Sequence, residues 1–274
     1  MATAVAETQK PWSMKRVVAA SSAGTAFEWY DFFIFGSLAG VIAQHFYAEV
    51  GASTGYILAL ITFGVGFVVR PLGALVFGWF GDRTGRKTTF LVTITLMGLA
   101  TVAIGLLPTF EQAGVIAPIL LITMRVLQGF ALGGEYGGAA IYVAEHAPAG
   151  KRGYLTGWIQ TTAALGLIGA LAVILVTRHV MGTEAFNAWG WRIPFLLSAL
   201  LLAVSLWIRM RLNESPAYRR MEAESQAPRA PYREAFGTWR NLKVVCWPWS
   251  GSCSRKGRSG TAAISTAASS WSAS

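Results

Sequence analysis

Cysteine is almost missing from this chain. The only two, Cys246 and Cys253, lie close to the carboxyl end. They support neither a disulfide framework nor a metal site. Charge is scarce as well: 13% of the 274 residues are charged, with 13 acidic against 23 basic side chains. Histidine occurs three times. No nucleophile–base pair, phosphate-binding loop or metal cluster can be assembled from such a set, which excludes a soluble enzyme. The net charge of +10 would suit nucleic acid, but the basic residues sit in short breaks between apolar runs. That placement is what membrane topology requires, and no nucleic-acid partner is expected.

What is abundant is apolar. Hydrophobic residues make up 54% of the chain, and mean hydropathy is +0.47. A membrane helix needs about 20 mostly apolar residues. Six stretches qualify: Val18–Phe46, Ser53–Phe80, Thr88–Pro108, Ile116–Val143, Leu155–Val176 and Arg192–Met210. The expected fold is therefore an all-α membrane protein, a bundle of six transmembrane helices with the lipid bilayer as its partner. The first apolar run is too long for a signal-peptide core and reads as an uncleaved anchor.

Loop charges set the expected orientation. Lys10, Lys15 and Arg16 precede the first span, and Arg83, Arg86 and Lys87 follow the second. Lys151 and Arg152 follow the fourth, and Arg209, Arg211, Arg219 and Arg220 follow the sixth. The alternate loops hold His45 and Glu49, then Glu111, then Arg178 and Glu184. Both ends of the bundle are expected in the cytoplasm. The domain plan is then a cytoplasmic segment 1–16, a membrane bundle 17–212, a cytoplasmic linker 213–245 punctuated by Pro216, Pro228 and Pro231, and a tail 246–274.

The tail has nine serines among 29 residues, no acidic residue and no leucine. Disorder is the composition-based expectation. A second reading is a change of frame near Val245. If Trp247–Ser252 is coded TGG CCC TGG TCG GGC TCG, moving back one base gives Leu-Ala-Leu-Val-Gly-Leu, the start of a further span.

Two patterns carry chemistry. Gly78-Trp-Phe-Gly81-Asp82-Arg83-Thr84-Gly85-Arg86-Lys87 follows span two. Its glycines permit a tight turn, while Asp82 and the cations can form charge-assisted bonds that hold a gate. A basic turn obeying the topology rule would explain Arg86 and Lys87 but not the spacing of Gly, Asp and Gly. The second pattern runs along span four: Arg125, Gln128, Gly129, Gly133, Gly134, Glu135, then Tyr142, Glu145 and Arg152. Arg125, Gln128 and Glu135 fall within about 80° of one helical face over about 15 Å. A charge facing lipid costs at least ~2.5–3.5 kcal/mol, so these should face a cavity or pair internally. Gly129 and Gly133 form a close-packing face.

Glu28 and Asp31 share a helical face in span one. Their burial and mutual repulsion point to a proton-binding site. The alternative is a structural pair neutralised by Arg70 or Arg125. Arg125 itself could bind a substrate carboxylate bidentately or neutralise Glu28 or Glu135. His146 and His179 are expected in solvent. The many Phe and Trp residues are expected to face lipid or its interface rather than to cage a cation.

At these residues the chain resembles a known family. The turn after span two looks like the signature loop of the major facilitator superfamily, and Leu127 to Arg152 is similar to its longer sugar-transport signature. Phe27-Glu28-Trp29-Tyr30-Asp31-Phe32, Arg70-Pro71-Leu72-Gly73 and Trp189-Gly190-Trp191-Arg192-Ile193-Pro194-Phe195 narrow it further. Together they resemble the metabolite:proton symporter branch, which includes permeases for proline/betaine, α-ketoglutarate, citrate and shikimate.

The resemblance covers about residues 15–245 and implies one half of a twelve-helix transporter in a bacterial inner membrane. It implies a small organic solute, a carboxylate or betaine, with protons as coupling ion and no cofactor. It also implies that the loop after span two braces against a second half, leaving Asp82 without its partner. The expected state is an inactive half lacking its carboxy-terminal partner. A half-size transporter paired with a second copy and a non-transporting membrane partner are the competing readings.

Overall fold

The computed structural model describes residues 14–148 and 150–210, and they are almost wholly helical. The linker and the tail expected at 213–274 lie outside the described residues. The helices are α1 (Met14–Ser37), α2 (Ala39–Phe46), α3 (Ala52–Val68), α4 (Arg70–Thr84) and α5 (Arg86–Leu106), then α6 (Phe110–Ala113), α7 (Ile116–His146), α8 (Arg152–Met181), α9 (Thr183–Ala185) and α10 (Arg192–Met210). Five stretches are long and apolar enough to cross a membrane, and the bent pair α1–α2 makes a sixth if it counts as one span.

Two spans read as single helices are interrupted. The first bends by 60° between Ser37 and Ala39. Gly36 and Ser37 precede the bend, a pair of the kind that concentrates helix kinks. The second breaks at Val69, two residues before Pro71. A proline ring removes one backbone donor and crowds the carbonyl four residues back, here that of Phe67. Together α3 and α4 make a 33-residue apolar stretch.

Helix ends follow local chemistry. Gly85 closes α4 at φ +96°, and Gly182 closes α8 at φ +81°. Left-handed backbone of this kind strains any residue with a Cβ. Thr109 starts α6 with a reciprocal capping box, its N–H donating to Gln112 Oε1 at 3.2 Å.

The centre of the bundle is α1, packed against α8, α10 and α7. Phe32, Phe35, Phe46, Trp191 and Phe195 are fully buried there. The outward faces are apolar too: Val68 is 76% exposed, Ile61 57% and Val180 77%. Helices apolar on both inner and outer faces suit a lipid surround rather than water.

Backbones meet where α7 crosses α3 and α4. A Cβ on Gly129 would lie 2.6 Å from Gly66 Cα, and one on Gly133 would lie 2.9 Å from Arg70 Cα. One on Gly73 would run into the Phe130 carbonyl, and one on Gly134 into the Phe77 ring. In span five, Gly166 seats α8 on α1, where a Cβ would be 2.8 Å from Ala26 O. Gly157, in the same span, faces open space instead. The contrast gives a direct test. Gly129→Ala should destabilise the bundle by ~1–3 kcal/mol through overpacking. Gly157→Ala should be neutral or stabilising by up to ~1 kcal/mol, from helix propensity alone. Thermal unfolding of the two variants in one detergent makes the comparison.

Candidate functional site: two buried charge clusters and a side cavity

Among the described residues, five charged side chains are buried: Glu28, Asp31, Arg125, Glu135 and Arg209. They fall into two clusters. In the first, Arg209 of α10 donates from Nη2 to Glu28 Oε1 of α1 at 2.6 Å and also pairs with Glu135 of α7. Thr93 of α5 donates to Glu135 Oε2 at 3.2 Å. The Arg209 guanidinium lies 4.9 Å from the Phe90 ring centroid. Gly24 makes the room, since a Cβ there would stand 2.7 Å from Arg209 Nη2. Glu28 Oε2 has no hydrogen-bond partner. One guanidinium therefore serves two carboxylates.

In the second cluster, Arg125 Nη1 donates to Gln128 Oε1 at 2.6 Å, and Gln128 Nε2 donates to Thr101 Oγ1 at 2.7 Å. Asp31 lies beside the hydroxyls of Thr101 and Ser198. The Arg125 guanidinium is wrapped by Phe32, Phe35 and Phe63, with centroids at 4.7, 4.3 and 5.0 Å, and is fully buried. It is sealed from solvent.

Several expectations change. Arg209 is not a loop charge after the last span; it turns back into the bundle because two carboxylates await it there. Glu28 takes Arg209 as its counter-ion, not Arg70 or Arg125. Glu135, placed on one helical face with Arg125 and Gln128, is drawn away from them to Arg209, since about 15 Å of depth separates the ends of that stripe. The aromatic residues Trp29, Phe32, Phe35, Phe63 and Phe67 are not all lipid-facing, because their rings pack on guanidinium groups inside the bundle. That arrangement offsets part of the cost of desolvating a cation.

A signal for Arg209 was present. Ser198, Ser205 and Arg209 lie within about 40° of one face of α10 and are all buried. A polar stripe on an apolar helix marks an inward face. His179 is exposed, as expected.

At the glycine-rich turn, Gly78 and Gly81 lie in α4 and Gly85 closes it. Arg83 stacks on Trp79 at 4.3 Å. Lys87 donates to the Met210 carbonyl at 2.8 Å, tying the start of α5 to the end of α10. Arg86 begins α5. Asp82 is engaged within this chain.

A cavity of about 490 Å³ opens beside the clusters, lined by Trp29, Phe67, Arg70, Pro71, Ala74, Leu132, Gly133, Gln160 and Ala163. Arg70 presents its guanidinium to three rings, Trp29 at 5.4 Å, Phe32 at 4.5 Å and Phe67 at 4.3 Å.

An apolar outer skin around sealed ionic clusters defines an integral membrane protein with a polar interior. The family profile described as "Sugar (and other) transporter" matches residues 17–240. The chain belongs to that family, within the major facilitator superfamily and beside its metabolite, shikimate and proline/betaine transporters. It is 41% identical over 225 residues to the shikimate transporter of Escherichia coli (strain K12), covering 81% of this chain and 51% of that one. The proline/betaine transporter of Salmonella typhimurium (strain LT2) is 37% identical over 239 residues, 84% of this chain and 48% of that one. The chain thus spans about half the length of the curated relatives it matches. Among solved structures, the inward-open xylose transporter XylE of E. coli has the same fold, with TM-score 0.65, 18% identity, and coverage of 85% of this chain and 54% of that one. These relatives are transporters, not enzymes.

Proposed function

We propose that this chain is the amino-terminal six-helix half of a proton-coupled symporter for a small organic carboxylate or betaine. It sits in a bacterial inner membrane with both ends of the bundle in the cytoplasm. The observation that carries the reading is the charge balance of the first cluster. With both carboxylates ionised, Glu28, Glu135 and Arg209 sum to −1, and one proton makes the group neutral. Unbalanced charge is expensive at membrane depth, so proton uptake there favours a different packing of the bundle from proton release. The names of the relatives, shikimate and proline/betaine transporters, support the solute class. Paired repeats that rock around a midplane site supply the transport cycle, so a second six-helix half completes the cavity wall.

The test is uptake into proteoliposomes under an imposed pH gradient, with radiolabelled shikimate, proline and glycine betaine as solutes. Accumulation is expected when the chain is co-reconstituted with the carboxy-terminal half of the shikimate or proline/betaine transporter, and not with the chain alone. Accumulation by the chain alone would favour the paired-copy reading. No gradient-driven accumulation in any combination would end the symporter reading.

A further inference from the structure

Arg70 is the cation that the two clusters leave unused. Arg209 is spent on two carboxylates, and Arg125 is fully buried and bonded to Gln128. Arg70, by contrast, lines the 490 Å³ cavity. Its Nε and Nη2 atoms form no hydrogen bond. Aromatic rings of Trp29, Phe32 and Phe67 hold it in place without neutralising it. Phe32 packs against both Arg70 and Arg125, so two cations share one ring. That stretch of the bundle is positively charged, and neither guanidinium has an ion pair among the described residues. Gln160 of α8 stands across the same cavity as an amide donor and acceptor.

We infer that this cavity is a carboxylate subsite in which Arg70, rather than Arg125, takes the anionic group of the solute. The inference rests on the transport reading for its solute class, but the site can be tested without transport. A guanidinium offers a planar fork that matches a carboxylate bidentately. Trp29 and Phe67 flank it with apolar surface for the body of the solute. A carboxylate placed here offsets part of that positive charge.

The experiment is phenylglyoxal labelling of the full chain in nanodiscs, with the Arg70 adduct followed by peptide mass spectrometry and the exposed Arg83 as internal reference. Shikimate and glycine betaine should slow Arg70 labelling at least tenfold at saturation. Choline, which keeps the quaternary amine but lacks the carboxylate, should not, and neither should xylose. Labelling of Arg83 should be indifferent to all four. Equal protection by choline and betaine, protection by none of the carboxylates, or an Arg70 that never labels would each overturn the inference. In a second measurement, equilibrium binding of radiolabelled shikimate should weaken at least tenfold in Arg70→Gln and recover in part in Arg70→Lys, which keeps charge but not the fork. Unchanged affinity in Arg70→Gln would also overturn it. Protection at Arg70 together with failed gradient-driven uptake would retain the subsite and reject the proton coupling.

Discussion

Arg209→Gln should be the most damaging single substitution in the bundle. It would strip Glu28 and Glu135 of the guanidinium that both contact, leaving two carboxylates buried against each other. Removing one partner of a buried ion pair typically costs about 3–5 kcal/mol, because the remaining charge has lost its compensation. Here the uncompensated charge doubles, and lipid surrounds the helices that hold it. The expected result is a sharp fall in monodisperse protein after detergent extraction and a lower midpoint in thermal unfolding. Arg209→Lys should retain part of the stability, since a point charge survives without the fork. The triple variant Glu28→Gln, Glu135→Gln, Arg209→Gln should be more stable than Arg209→Gln alone, because it exchanges an ionic cluster for neutral amides. If the single variant and the triple variant unfold together, the cluster is not held by charge.

Glu28→Gln should have the opposite profile. It leaves Glu135 and Arg209 as a balanced pair, so the fold should survive with a stability change of only ~1–2 kcal/mol from one altered hydrogen bond. What it removes is one of the two carboxylates that share the Arg209 guanidinium, and with it the negative charge in excess. In the assembled two-half transporter, accumulation driven by a pH gradient should disappear, while exchange of internal for external solute remains measurable. Exchange needs the solute site but no net proton movement, so the two assays separate coupling from binding. Asp31→Asn is the internal comparison. It disturbs the Thr101–Gln128–Arg125 chain and should lower exchange as well. Persisting pH-driven accumulation in Glu28→Gln would move the proton to another carboxylate, Glu135 or Asp31.

Much of this was legible in the residues. The length and polarity of apolar runs located the spans, because hydrocarbon thickness sets a minimum that few soluble helices meet. The spacing of Arg125, Gln128, Gly129 and Gly133 along one helix showed which face of α7 turns inward. Pairing was not legible. Helical periodicity says that a side chain points into the bundle, but which of three acids meets which of three arginines depends on how spans distant in sequence lie beside each other. Glu28 and Arg209 are 181 residues apart and hydrogen-bonded. Arg209 was further concealed by its position at the end of an apolar run, where a basic residue satisfies the topology rule as well as it satisfies an ion pair. The bend at Leu38 was hidden for a similar reason: Gly36 and Ser37 lower the cost of a kink without requiring one.

The bond from Lys87 to the Met210 carbonyl gives the bundle a mechanical property. Met210 follows Arg209 directly, so the anchored peptide group and the cation shared by two acids are covalent neighbours. The last described turn of α10 is thus held at two adjacent residues, by its backbone to α5 and by a side chain to α1 and α7.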